Sequence, residues 1–144
     1  GFNVSRLWPE TLVVVCSPAY LRAHPISAPR DLMGCTLLHV DDTRMWDEWF
    51  ADNGLTLSSS NAQMTLEDRH FQLSSTINGL GVSLFASWAV QDELRKGELI
   101  DPFGRQFETS FAYHLVIPRG RRSSRHVEMF SNWLLDAAQK GPSA

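Results

Sequence analysis

Cysteine is nearly missing from this 144-residue chain, which has only Cys16 and Cys35. Two thiols in apolar, strand-like surroundings do not make a disulfide scaffold. They read as buried free thiols of a cytoplasmic protein, with a redox-sensing pair as the alternative. Long apolar runs are lacking too. None approaches the roughly 20 residues that cross a bilayer, and no signal peptide opens the chain, so neither a membrane protein nor an exported one is expected. Nor is there a basic excess: 13 Lys and Arg stand against 16 Asp and Glu, a formal net charge of −3. A surface that grips nucleic-acid phosphates would carry the opposite balance. The one dense basic run, Arg119, Arg121, Arg122 and Arg125, precedes a helix-like segment and reads as a solvated loop.

The motifs of several enzyme classes are also missing. The five histidines (His24, His39, His70, His114 and His126) are scattered, with no pair at zinc spacing. Gly79-Leu80-Gly81 precedes a strand and lacks a third glycine, so it is a tight turn rather than a dinucleotide fingerprint. Gly81-Val82-Ser83-Leu84-Phe85 lacks the second glycine of a nucleophile elbow, and Ser83 reads as a packed strand serine. No metal and no organic cofactor is expected, and the chain does not read as an enzyme. Asp41 and Asp42 are the one carboxylate pair that would suit general acid–base work, but adjacent acids before a helix are more often its caps.

What is present is an ordinary globular composition, 43% apolar and 20% charged, with strands and helices in alternation. Residues 12–15 form a continuous apolar, β-branched run, the mark of a strand buried on both faces. Ser17-Pro18 then caps a helix to about residue 23, and Pro29 opens a short helical piece ended by Gly34. Residues 36–40 read as the next strand. Met45, Trp46, Trp49 and Phe50 follow at helical spacing, with Asp42 or Thr43 as cap and Asn53-Gly54 as the stop. Residues 58–61 are a polar connection and 63–66 a strand, after which Leu66, Leu73, Ile77 and Leu80 mark one face of a helix. A strand at 82–85 follows, with Ser87 capping a helix that ends at Gly97, and then a short strand at 99–101. Residues 111–117 form the most strand-like run of all. Val127, Phe130, Leu134 and Ala137 share one face of a last helix capped by Ser123 or Ser124, and residues 141–144 read as a frayed tail.

Such alternation predicts an α/β sheet with helices on both faces, whose ligands bind where strand ends meet helix N-termini. Function is therefore sought after Val40, Leu66 and Phe85. His39, Asp41 and Asp42 follow the first of these strands and precede Trp46. Glu67, Asp68 and Arg69 open the next helix, and Ser87 and Trp88 follow the third strand. Free N–H groups there suit a small carboxylate, acids would receive an ammonium group, and aromatics would cover apolar parts. Each acid also has a plain reading as a cap, and Trp46 as core.

At these residues the chain resembles the effector-binding domains of LysR-type transcription regulators. The likeness is carried by Leu12-Val13-Val14-Val15-Cys16-Ser17-Pro18-Ala19-Tyr20-Leu21, by Thr36-Leu37-Leu38-His39 with Asp41-Asp42, and by Trp46-Asp47-Glu48-Trp49-Phe50. It continues through Ile77-Asn78-Gly79-Leu80-Gly81-Val82, Ala112-Tyr113-His114-Leu115-Val116 and Phe130-Ser131-Asn132-Trp133-Leu134-Leu135. These segments are similar to the subgroup containing the glycine-cleavage and β-lactamase activators. The resemblance implies a Rossmann-like lobe of the type 2 periplasmic-binding-protein fold, residues 17–105. Residues 1–16 would be a crossover segment, and 106–144 the return strand and C-terminal helix of a partial first lobe. It further implies a cytoplasmic, bacterial, homo-oligomeric regulator that senses a small carboxylate or amino-acid-like metabolite. Its DNA contacts would be made through a winged helix-turn-helix head with no counterpart in this chain. The family's pocket positions fall near His39 and Asp41, near Glu67, Asp68 and Arg69, and from Phe85 to Trp88. A solute-binding protein of the periplasmic type is the alternative in another class, and a carboxylate-dependent hydrolase a remote third.

Overall fold

The computed structural model describes residues 1–58, 60–120 and 124–140. Ser59, Arg121, Arg122, Ser123 and residues 141–144 lie outside them, and with them part of the basic run, one candidate helix cap and the expected frayed tail. Five strands form one mixed sheet in the order β3-β2-β4-β1-β5: β1 (Phe2–Val15), β2 (Leu37–Val40), β3 (Gln63–Leu66), β4 (Val82–Ala86) and β5 (Gln106–Pro118). β2 runs parallel to β3 and β4, and β4 antiparallel to β1, pairing Val13 with Phe85 and Val14 with Leu84. The helices are α1 (Pro18–Ala23), α2 (Arg44–Asp52), α3 (Arg69–Ile77), α4 (Gln91–Lys96) and α5 (Arg125–Gln139). The chain divides into two compact units, Thr11–Phe107, and Gly1–Glu10 with Glu108–Ala144.

Within Thr11–Phe107, the run Leu12–Val15 is fully buried, and its alternate residues enter different cores. Leu12 and Val14 join Leu37, Val82 and Leu84 beneath Tyr20, Leu32, Trp46, Trp49 and Phe50. Val13 and Val15 join Phe85, Val90 and Leu99, with Leu73, Ile77 and Leu94 against them. Both faces of the sheet are thus covered, so this strand carries no polar alternation. The aromatics of α2 pack edge to face, Trp49 on Phe50 with centroids 5.3 Å apart and planes at 83°.

Several local expectations change. Ser87 caps no helix: its hydroxyl donates to the Thr11 carbonyl at 2.9 Å, and a 3-10 turn, Ser87–Ala89, separates β4 from α4. Leu80 lies beyond the end of α3 and is exposed. The expected strand at 99–101 is a single bridge, Ile100 to Cys16. Thr43 is the N-cap residue of α2, yet its side chain makes no cap bond; it donates to Asp47, and Asp42 takes the Arg44 N–H instead. Ser124 caps α5 through the Val127 N–H.

In the unit Gly1–Glu10 with Glu108–Ala144, the apolar face read on α5 is only partly covered: Leu134 and Ala137 are half-buried, while Val127 and Phe130 are exposed, as are Trp133 and, on the strands, Phe2, Val4, Phe111 and Val116. Two strand segments and one helix supply too little surface to bury that face.

Gly81 shows how closely the other unit packs. A Cβ there would meet Leu38 Cδ1 at 2.1 Å and the Thr36 carbonyl oxygen at 2.4 Å, whereas one at Gly34 would meet nothing within 4 Å. Gly81→Ala should therefore lower stability by about 1–3 kcal/mol in denaturant melts, while Gly34→Ala stays within about 0.5 kcal/mol. Equal effects of the two would contradict this packing.

Candidate functional site

β2 stops at Val40 because the chain reverses over the next two residues. The Asp42 N–H donates to the Val40 carbonyl at 2.8 Å, closing a three-residue turn around Asp41. Asp41 has a φ of 66° and is the only non-glycine described with positive φ, a conformation that aspartate tolerates better than most residues. Beyond the turn, α2 sends Trp46 back under the strand end, where its indole Nε1 donates to the Leu38 carbonyl at 3.0 Å.

The same carbonyl is approached from α3. Gln72 Nε2 lies 3.4 Å from the Leu38 oxygen and 3.5 Å from that of Leu84, so one buried amide spans β2 and β4. One turn later, Thr76 donates to the Gln72 carbonyl at 2.6 Å and sits 2.7 Å from the Ser83 hydroxyl. Ser83 is thus the packed strand serine its sequence context predicts, fully buried and hydrogen-bonded. Ahead of Gln72, Asp68 caps α3 by accepting the Phe71 N–H at 2.9 Å. Arg69 then turns its guanidinium to Gln72 Oε1 at 2.8 Å and to Met45 Sδ at 3.7 Å.

These elements enclose a cavity of about 190 Å³ at the end of β2, lined by His39, Asp41, Asp42, Arg44, Met45, Trp46, Arg69 and Gln72 together with Leu38, Val40 and Leu84. Its charges balance, two carboxylates against two guanidinium groups. His39 is 9% exposed. Its Nε2 is 3.5 Å from Thr65 Oγ1, and its Nδ1 is buried with no hydrogen-bond partner. A buried ring nitrogen in that state favours any ligand group that completes it.

Four of the nine site residues read from sequence, His39, Asp41, Trp46 and Arg69, come together here. Five do not. Glu67 is exposed, and Asp68 is committed to its helix cap. Phe85 points to the opposite face of the sheet from Leu84 and packs with Val13 and Val15. Ser87 lines a separate cavity of about 270 Å³ with Gln91, Asp101 and Arg105. Trp88 is 59% exposed and lines neither cavity. Gln72, Arg44 and Met45 escaped the sequence reading. The signal for Gln72 was the polar spacing Gln72–Thr76 beside an apolar strand whose Ser83 needs a buried partner.

Among the described residues no cluster of three or more His, Cys, Asp or Glu is placed to hold a metal. Both cysteines are buried and free. Burial, with Cys35 and Asp101 adding to it, pushes the Cys16 thiol from 9.0 to about 11, and burial raises Cys35 as well. Protonated thiols of this kind are poor nucleophiles.

The LysR substrate binding domain profile matches residues 1–139. The glycine cleavage system transcriptional activator of Escherichia coli K12 is 30% identical over 139 residues, 96% of this chain and 46% of that protein. The HTH-type transcriptional activator AmpR of Citrobacter koseri is 27% identical over 92% of this chain and 48% of its own length. The chain thus spans about half the length of the curated relatives it matches. Among solved structures, the effector domain of AmpR from Pseudomonas aeruginosa superposes with a TM-score of 0.79 at 23% identity, over 97% of this chain and 66% of that one.

Two outcomes follow from the geometry. Asp68→Ala should cost about 1 kcal/mol of stability through the lost cap, whereas Asp41→Asn, which keeps a side chain suited to the positive φ, should leave the melting temperature nearly unchanged; equal losses would make the Asp41 carboxylate structural too. Because folding holds Cys16 protonated, stability is full below pH 9 and falls as pH rises from 9.0 towards about 11, where only the unfolded chain ionises readily. Alkaline melts of Cys16→Ala should lack that component, and an unchanged profile would contradict it.

Proposed function

The chain belongs to the LysR substrate-binding domain family, and from that membership we propose that the cavity at the end of β2 is the effector-binding surface of a bacterial transcription regulator. The fold is that of LysR effector domains, which resemble type 2 periplasmic binding proteins, and the relatives are transcription regulators rather than enzymes. The effector, in this reading, is a small carboxylate or amino-acid-like metabolite. The observation that carries it is Arg69, a guanidinium at the cavity wall whose partners are an amide and a thioether instead of a carboxylate. A ligand carboxylate completes that group, and Asp41, which lines the same cavity, receives an ammonium. About 190 Å³ suits a ligand at or below the usual lower limit of roughly 300 Å³ for drug-sized sites.

In the whole regulator, Thr11–Phe107 corresponds to the second lobe of the effector domain, and the other unit is the part of the first lobe that this chain contributes. Its exposed apolar residues, Val127, Phe130 and Trp133 among them, support that reading, since the remainder of the first lobe would bury them. Binding shifts an existing balance between open and closed lobes, with the long strands β1 and β5 as the hinge, and passes that shift to a winged helix-turn-helix head. The regulator acts as a homo-oligomer in the cytoplasm. Among the described residues no helix is long and apolar enough to cross a membrane.

A thermal-shift screen against L-amino acids and small carboxylates tests the proposal. At a hundredfold excess over Kd, about 2.7 kcal/mol of stabilisation is expected, which moves the melting temperature by several degrees. The matching amides, which lack the carboxylate, should leave it unmoved. If no compound shifts either this chain or a longer one carrying the complete effector domain, the reading is wrong.

A further inference from the structure

Gln72 is almost wholly buried and every polar atom of its side chain is engaged. Its amide nitrogen faces the Leu38 and Leu84 carbonyls, and its Oε1 accepts from Arg69 at 2.8 Å. The sheet therefore holds the amide, and the amide holds the guanidinium. An unheld arginine would have to be ordered by the ligand itself, at a cost in affinity. The chemistry of the acceptor matters equally. A carboxylate in this position would offer an oxygen of the same reach but would cancel the charge of Arg69, and it would set an anion against two backbone carbonyls. An amide orients without neutralising.

Resting on the effector-site reading above, we propose that Gln72 is a positioning residue that sets the anion preference of this cavity. It orders Arg69 along the cavity wall and leaves the positive charge free for the carboxylate of the effector. Two separable properties of residue 72 thus act on the ligand: its acceptor geometry, which fixes Arg69, and its neutrality, which keeps Arg69 available.

The test is an NMR titration of the 15N-labelled chain with sodium acetate, against sodium chloride at matched ionic strength. The readout is the Arg69 side-chain Nε–H signal, assigned by its loss in Arg69→Lys. In the unsubstituted chain acetate should move this signal saturably and chloride should not. Gln72→Glu should weaken the acetate response by about tenfold or more, the scale of one lost charge-assisted hydrogen bond. Gln72→Met keeps the volume and the charge of Arg69 but removes the acceptor. It should broaden the Arg69 signal and weaken acetate binding by a smaller factor, an effect on side-chain order that a purely packing role for Gln72 would not produce. Melting curves establish that each variant folds, and if Gln72→Glu does not, Gln72→Met alone decides. A normal acetate response with a sharp Arg69 signal in the folded variants overturns the role of Gln72 and leaves the effector site standing. An Arg69 signal that acetate does not move in the unsubstituted chain overturns the effector site, and the role of Gln72 with it.

Discussion

The Leu38 carbonyl receives hydrogen bonds from two helices at once. Trp46 of α2 donates its indole N–H, and Gln72 of α3 its side-chain amide. Leu38 is completely buried, so its carbonyl has no water to turn to, and these donors, themselves buried, are equally in need of an acceptor. That mutual requirement ties a side chain of α2 and one of α3 to the same carbonyl of β2. The cavity is the space left between the two helices. Because Gln72 also accepts from Arg69, the direction of the one guanidinium without an acidic partner in the wall depends on the same contact.

Burial on both faces of the sheet governs the rest of the unit Thr11–Phe107. Helices and turns on one side cover Leu12, Val14, Leu37 and Leu84, and those on the other cover Val13, Val15 and Phe85. A rigid double-sided core lets the strand ends serve as fixed mounts, so the strained turn at Asp41 is held by its surroundings rather than relaxing. The other unit contrasts with this. Its strands and α5 have the right periodicity, but Phe2, Val4, Phe111, Val116, Val127, Phe130 and Trp133 are exposed there.

Most of the element order was legible because punctuation and periodicity agreed: Ser17-Pro18 at the start of α1, aromatics at helical spacing in α2, a β-branched run in β1 and a mostly apolar one in β4. Part of the site was legible for the same reason, since ligands gather at strand ends and His39, Asp41 and Trp46 flank one. Phe85 was misplaced because a strand buried on both faces has no polar alternation to reveal which way a residue points. Ser87 has the right side chain for a cap, but its hydroxyl is taken by the Thr11 carbonyl, 76 residues away in sequence, a tertiary contact that local spacing does not encode. Gln72 belongs to no apolar face and no motif, and only its partners on two strands make it structural. The exposure of α5 was likewise invisible, because periodicity shows that a face is apolar without showing what covers it.

A crystal structure of this chain with the carboxylate that stabilises it most would test the central claim directly. The account predicts the ligand carboxylate against the Arg69 guanidinium, with a further polar group of the ligand completing Nδ1 of His39. Ligand density in the cavity beside Ser87 and Arg105, with the space between α2 and α3 empty, would contradict it.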